Sequence, residues 1–140
     1  MAPTRGEDLQ APPPRLILDS GAVIALARGE SRARAFLARA LEARASVEIP
    51  VVVVAETVRG GPRDAPVNWI LKQIGHVPDT QEIHGRIAGQ LLGAARSAAT
   101  IDALVVAQAV AGGGAQILTG DREDLERLAA SHPEVWIEPL

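Results

Sequence analysis

Residues 99–125 read ATIDALVVAQAVAGGGAQILTGDREDL, and their order decides the fold. Thr100 is a suitable cap for an apolar helix over 101–111, and Gly112-Gly113-Gly114 stop it. Gln116-Ile117-Leu118-Thr119 follows as a short apolar strand, and 122–130 returns to a helical pattern. A helix, a buried strand and another helix in succession are the repeating unit of an α/β chain, in which helices cover both faces of a parallel sheet.

The flanking sequence continues the pattern. Arg15–Leu18 (RLIL) reads as a first buried strand ending at Asp19, with Ser20 as a plausible cap for a helix over 21–27. Ser31 can cap a second helix to about residue 45, with Ala33, Phe36, Leu37, Ala40 and Leu41 on one face. Val47-Glu48-Ile49 is a second strand, stopped by Pro50. The four valines 51–54 favour a strand by propensity, although Val51, Val54, Ala55 and Val58 also fit one helix face ahead of the Gly60-Gly61-Pro62 stop. A helix is predicted over 64–74, with Val67, Ile70, Leu71 and Ile74 inward and Trp69 almost opposite them, exposed. His76-Val77-Pro78 is a brief strand or turn, a long helix runs from Thr80 to about Arg96, and Val135-Trp136-Ile137 is a last edge strand. The expected architecture is a three-layer α/β domain over 15–140, with a parallel sheet of about five strands and helices on both faces. Residues 1–14 are expected to form a flexible, proline-rich tail.

Composition narrows the function. The chain has 140 residues, one domain's worth, and 47% of them are hydrophobic, enough for a real core. No stretch approaches the ~20 apolar residues of a membrane span, and the first fourteen residues lack the apolar centre of a secretory signal. There is no cysteine, which excludes disulfides and thiolate chemistry and agrees with a cytoplasmic setting. The net charge is -3, so any nucleic acid must be met by local basic residues or through a metal.

In an open parallel sheet, sites form beyond the carboxyl ends of the strands. Asp19 follows the first strand, Asp121 follows the strand at 116–119, and Asp102 sits in the first turn of the helix over 101–111. Glu56 lies after the second strand. Turn and capping roles explain Asp19 or Asp121 taken singly, and the helix dipole explains Asp102, Glu123 and Asp124. But Asp102 and Glu56 are each the only ionisable residue in an apolar segment, and isolated buried carboxylates need a partner or a cation. Oxygen donors without Cys or a nearby His suit a hard ion, Mg²⁺ or Mn²⁺, and such a site suits phosphodiester hydrolysis.

The segments LILDSGAVIAL (16–26), IPVVVVAETVRG (49–60) and 99–125 together resemble the spaced acidic motifs of PIN domains, most nearly those of VapC-type toxins, over about residues 15–137. The resemblance implies a metal-dependent endoribonuclease acting on RNA, a homodimer and a cognate protein antitoxin. It implies that Asp19, Glu56, Asp102 and Asp121 hold metal and carry catalysis, and that 51–59 is helical despite its valines. Thr119 matches the family's hydroxyl position before the last acid. Ser20 and Asp124, beside Asp19 and Asp121, are carried as secondary or substrate-side positions. Gly120 departs from the family, which often has a polar or basic residue there. Two rival readings are a PIN-fold protein that binds RNA or a partner without cleaving, and a receiver-like signalling domain. The second lacks a lysine after a late strand, since Lys72, the only lysine, lies mid-chain.

Overall fold

The computed structural model describes residues 14–140, so the expected tail lies outside the described residues except for Pro14. Within them four strands form one sheet: β1 (Arg15–Leu18), β2 (Ser46–Glu48), β3 (Ala115–Thr119) and β4 (Val135–Pro139). They are all parallel, in the order β2-β1-β3-β4. Leu16, Ile17 and Leu18 are all fully buried. Successive strand residues point to opposite faces, so both faces of the sheet are covered. The expected fifth strand is a single bridge from His76 to Glu48. Pro78, two residues on, has no N–H for a ladder, which keeps that edge short.

Among the described residues seven helices complete the layers: α1 (Ser20–Ala27), α2 (Ser31–Glu42), α3 (Val51–Thr57), α4 (Ala65–Trp69), α5 (Glu82–Ala95), α6 (Thr100–Ala111) and α7 (Arg122–Leu128). The helices α1, α2 and α4 pack together, as do α5, α6 and α7, and α3 touches both α1 and α6. The valines therefore do form a helix. Pro50 sets an extended cap residue before it, and the packing of buried Val53 supplies what propensity lacks. A 3₁₀ turn (Pro62–Asp64) leads into α4, which widens into a π turn (Ile70–Ile74). Val67 and Ile70 face inward and Trp69 is 58% exposed, as the helix phase predicted. No single helix among the described residues is long and apolar enough to cross a membrane.

A polar network ties the far end of α6 to the sheet. Arg15 at the start of β1 grips Glu48 of β2 through Nε and Nη2, at 2.8 Å each. Its remaining N–H groups reach the carbonyls of Gly114 (2.8 Å), Gln108 (3.3 Å) and Ala109 (3.4 Å). Gln108 Nε2 donates to the same Glu48 carboxylate at 3.0 Å. Burial works to raise the Glu48 pKa, but the bonds from Arg15 and Gln108 prevail and hold it below the ordinary value. The faces of α6 are small and apolar, so these directional bonds fix the axial position of the helix. Asp102 lies six residues away on the same rod, about 9 Å along its axis.

Replacing Arg15 with Met should therefore cost about 3 kcal/mol, because it strands the Glu48 charge in a mostly buried site. Urea unfolding measures this; a loss below about 1 kcal/mol would show that the network contributes little.

Candidate metal centre

The acids converge because three elements end at one edge of the sheet. β1 ends at Asp19, whose backbone N–H still pairs with Leu118 of β3 at 3.2 Å. Asp19, not Ser20, caps α1: its backbone is extended and its Oδ1 accepts from Ala22 N at 2.9 Å. Ser20 is the first residue of that helix, half-buried. The other carboxylate oxygen of Asp19 accepts from the hydroxyl of Thr119, which is fully buried at the end of β3. Thr119 Oγ1 in turn accepts from the backbone N–H of Asp121 at 2.7 Å. Thr119 is thus the relay that holds the acid after β1 against the acid after β3.

Gly21 allows this closeness. A Cβ there would lie 3.1 Å from the backbone of Gly120, so the first turn of α1 and the turn after β3 press together with no side chain between them.

The third contribution comes from α6 and α7. Asp102 stands in the first turn of α6; Asp121 is the cap residue of α7 and Asp124 lies in its first turn. Oxygens of Asp102, Asp121 and Asp124 all fall within 4.8 Å of one another. Asp124 had an adequate explanation as a first-turn acid, yet its three-residue spacing from Asp121 on one helix face brings both to the same point. Asp19 and Glu56 stand outside this tight group, and both still act on it by charge. Glu56 is half-buried on α3. His76, His84 and His132 are not in the group.

The electrostatics follow from crowding. Burial, then repulsion from Asp121, Asp124, Asp19 and Glu56, pushes the Asp102 pKa from 3.8 to about 6. Burial also raises Asp19, against the opposing hydrogen bonds from Thr119, Ala22 and Gly120 and with added repulsion from Asp121. Desolvation and the proximity of Asp124 raise Asp121. A cation resolves this repulsion. The donor set is all oxygen, so the residues fit Mg²⁺ or Mn²⁺ better than Zn²⁺.

One acid nearby plays a different part. Asp64, buried after the Gly60-Gly61 turn, accepts from the N–H groups of Arg59 (3.0 and 3.1 Å) and Gly60 (2.6 Å). Those bonds hold its pKa down and brace the loop that follows Glu56. Nothing in local sequence patterning marks it, because its partners are the backbone amides of an irregular turn.

Known proteins share this fold. The family model for the PIN domain matches residues 16–131. No curated protein sequence matches the chain. Among solved structures, VapBC2 from Rickettsia felis bound to a DNA fragment from its promoter has a TM-score of 0.70 at 15% identity, over 89% of this chain and 98% of that one. FitAB bound to the IR36 DNA fragment has a TM-score of 0.66 at 18% identity, over 89% and 94%. FitAcB from Neisseria gonorrhoeae has 0.61 at 19%, over 87% and 95%. At these identities the likeness is one of fold.

The raised Asp102 pKa makes a pH prediction for the metal-free protein. A carboxyl that binds its proton more tightly when folded stabilises the fold fully below its unfolded pKa, and that stability is lost as pH rises through the folded value. Without metal, the melting temperature should fall between pH 4 and about pH 6. Asp102→Asn should raise the melting temperature at pH 7 and flatten this dependence. A melting temperature that climbs with pH across that window would refute the crowding.

Proposed function

The chain belongs to the PIN domain family, and from that premise we propose that it is a metal-dependent endoribonuclease, the toxin half of a toxin–antitoxin pair. The observation that carries this reading is the convergence of Asp102, Asp121 and Asp124 to within 4.8 Å beside the buried Asp19. Asp102, Asp121 and Asp124 would hold Mg²⁺ or Mn²⁺ directly or through water, with Asp19 and Glu56 completing the charge around it. Such a cation polarises a phosphate, lowers the pKa of a bound water and neutralises developing negative charge.

The residues of the chain supply position. Thr119 keeps Asp19 from swinging away from Asp121 by donating to the first and accepting from the backbone of the second. Glu56, close enough to act on Asp102 by charge, is the acid we assign to orienting the attacking water. Below about pH 6 Asp102 keeps its proton in the metal-free protein and that proton competes with the cation, so at limiting metal activity should rise with pH through that value. We further infer a homodimer working in the cytoplasm.

The antitoxin's place is supported by an apolar groove of about 510 Å³ between α1, α2 and the α4 segment. Leu26, Leu37, Leu41, Trp69 and Ile74 line it, and Arg34 is its one charge. A hydrophobic segment of the antitoxin with an acidic neighbour fits that lining.

Two measurements test the function. Cleavage of single-stranded RNA should stop in EDTA and return with Mn²⁺. Asp19→Asn, Asp102→Asn and Asp121→Asn should each lower the rate on the order of a hundredfold or more, without adding, because the acids act as one unit. Wild-type cleavage by any of the three, purified free of host nucleases, would end the mechanism. Separately, Trp69→Ala should leave folding intact and weaken antitoxin binding by about 2 kcal/mol. Unchanged affinity would remove Trp69 from the interface.

A further inference from the structure

The side of α2 facing away from the apolar groove carries Arg32, Phe36 and Arg39, at spacings of four and three residues. On a helix these positions share one face, and the two arginines stand about 10 Å apart along the axis. Both arginines are exposed and Phe36 is half-buried. The Arg39 guanidinium sits 5.7 Å from the centre of the Phe36 ring, which holds it in place without neutralising it. Among the described residues neither arginine forms an ion pair. With Leu118, Glu138, Pro139 and Leu140 the stripe encloses a small cavity of about 70 Å³.

Its place in the fold gives it a use. Leu118 is the residue before Thr119, and Leu140 donates its backbone N–H to the Thr119 carbonyl at 3.0 Å. Gly120, exposed and without a side chain, precedes Asp121 and adjoins this cavity: a Cβ there would lie 3.7 Å from Leu140, which lines it. The basic stripe and the acidic cluster are therefore neighbours across a bare stretch of backbone. In a chain of net charge -3, with at least five acids around its metal centre, a polyanion needs such a local basic footing.

We propose that the Arg32–Phe36–Arg39 face of α2 binds the phosphate backbone of single-stranded RNA and leads it over Gly120 into the acidic cluster. The direction of that path rests on the nuclease reading; the binding itself does not. Arg32 and Arg39 each take a phosphate, with Arg39 held ready by the Phe36 ring, and the contacts are sequence-independent. Glu138, the acid on the cavity rim, opposes the strand and sets a limit on its affinity.

The probe is a fluorescein-labelled 12-nucleotide single-stranded RNA of mixed sequence, followed by anisotropy in EDTA, where no cleavage interferes. Arg32→Gln with Arg39→Gln should weaken binding at least fivefold and lower the slope of log affinity against log salt by about 0.7 for each arginine. Glu138→Gln should instead tighten binding about twofold. Mn²⁺ affinity, read by electron paramagnetic resonance, should be unchanged in all of them, which shows an intact fold and cluster. Unchanged RNA affinity and slope in the double arginine variant would overturn the proposal, as would weakening by Glu138→Gln, which would trace the effect to the fold. RNA binding that depends on the stripe, without any cleavage by wild-type protein in Mn²⁺, would sink the nuclease reading and leave this one standing.

Discussion

Three carboxylates within 4.8 Å of one another repel, and the rest of this structure is arranged so that they cannot separate. Asp102 comes from the first turn of α6, and Asp121 and Asp124 come from the cap and first turn of α7; both helices are anchored elsewhere by buried contacts. The cost of the crowding is visible in the raised pKa of Asp102. A protein that merely folds would lose nothing by dispersing these charges into solvent. A divalent cation joining them would offset that cost.

The anchoring is of two kinds. Near the cluster, hydrogen bonds do it directly: Asp19 is bound to the first turn of α1 and to Thr119, and Thr119 is bound to the backbone of Asp121. Farther off, the Arg15–Glu48–Gln108 network fixes α6 at the end opposite Asp102, so repulsion at one end of the rod is resisted at the other. Asp64 does comparable work for the loop after Glu56 by binding the amides of Arg59 and Gly60. The acidic edge is thus a set of rigid ends held against their own charge, which is the preorganisation that metal-assisted chemistry requires.

Much of this was legible in the amino-acid sequence, for identifiable reasons. The elements of the 99–125 segment read correctly because a small apolar helix, a glycine stop and a short strand are each strong local signals, although Ala99 and not Thr100 is the cap residue of α6. The exposure of Trp69 was also readable, since helix phase alone decides it. The valine helix α3 was not: local propensity favoured a strand, and only the resemblance pointed to a helix whose support is tertiary. Asp124 was legible as a helix acid but not as a member of the tight group, because capping and ligation predict the same residue at the same place. The cap of α1 fell to Asp19 rather than Ser20, so one residue serves both the helix and the acidic edge. The need for glycine at this contact falls on Gly21, where a Cβ would lie 3.1 Å from Gly120, whereas a Cβ at Gly120, the departure from the family pattern, would lie an ordinary 3.5 Å from Gly21.

The central claim is that the cluster exists to hold a divalent cation, and proton release tests it most directly. At pH 6 Asp102 is about half protonated, and a cation must displace that proton to bind. Calorimetric titration with Mn²⁺ in two buffers of different ionisation enthalpy should show release of at least about half a proton per ion at pH 6, falling towards none by pH 8. Mn²⁺ binding with no proton release at pH 6, or no binding at millimolar Mn²⁺ at pH 8, would contradict the account.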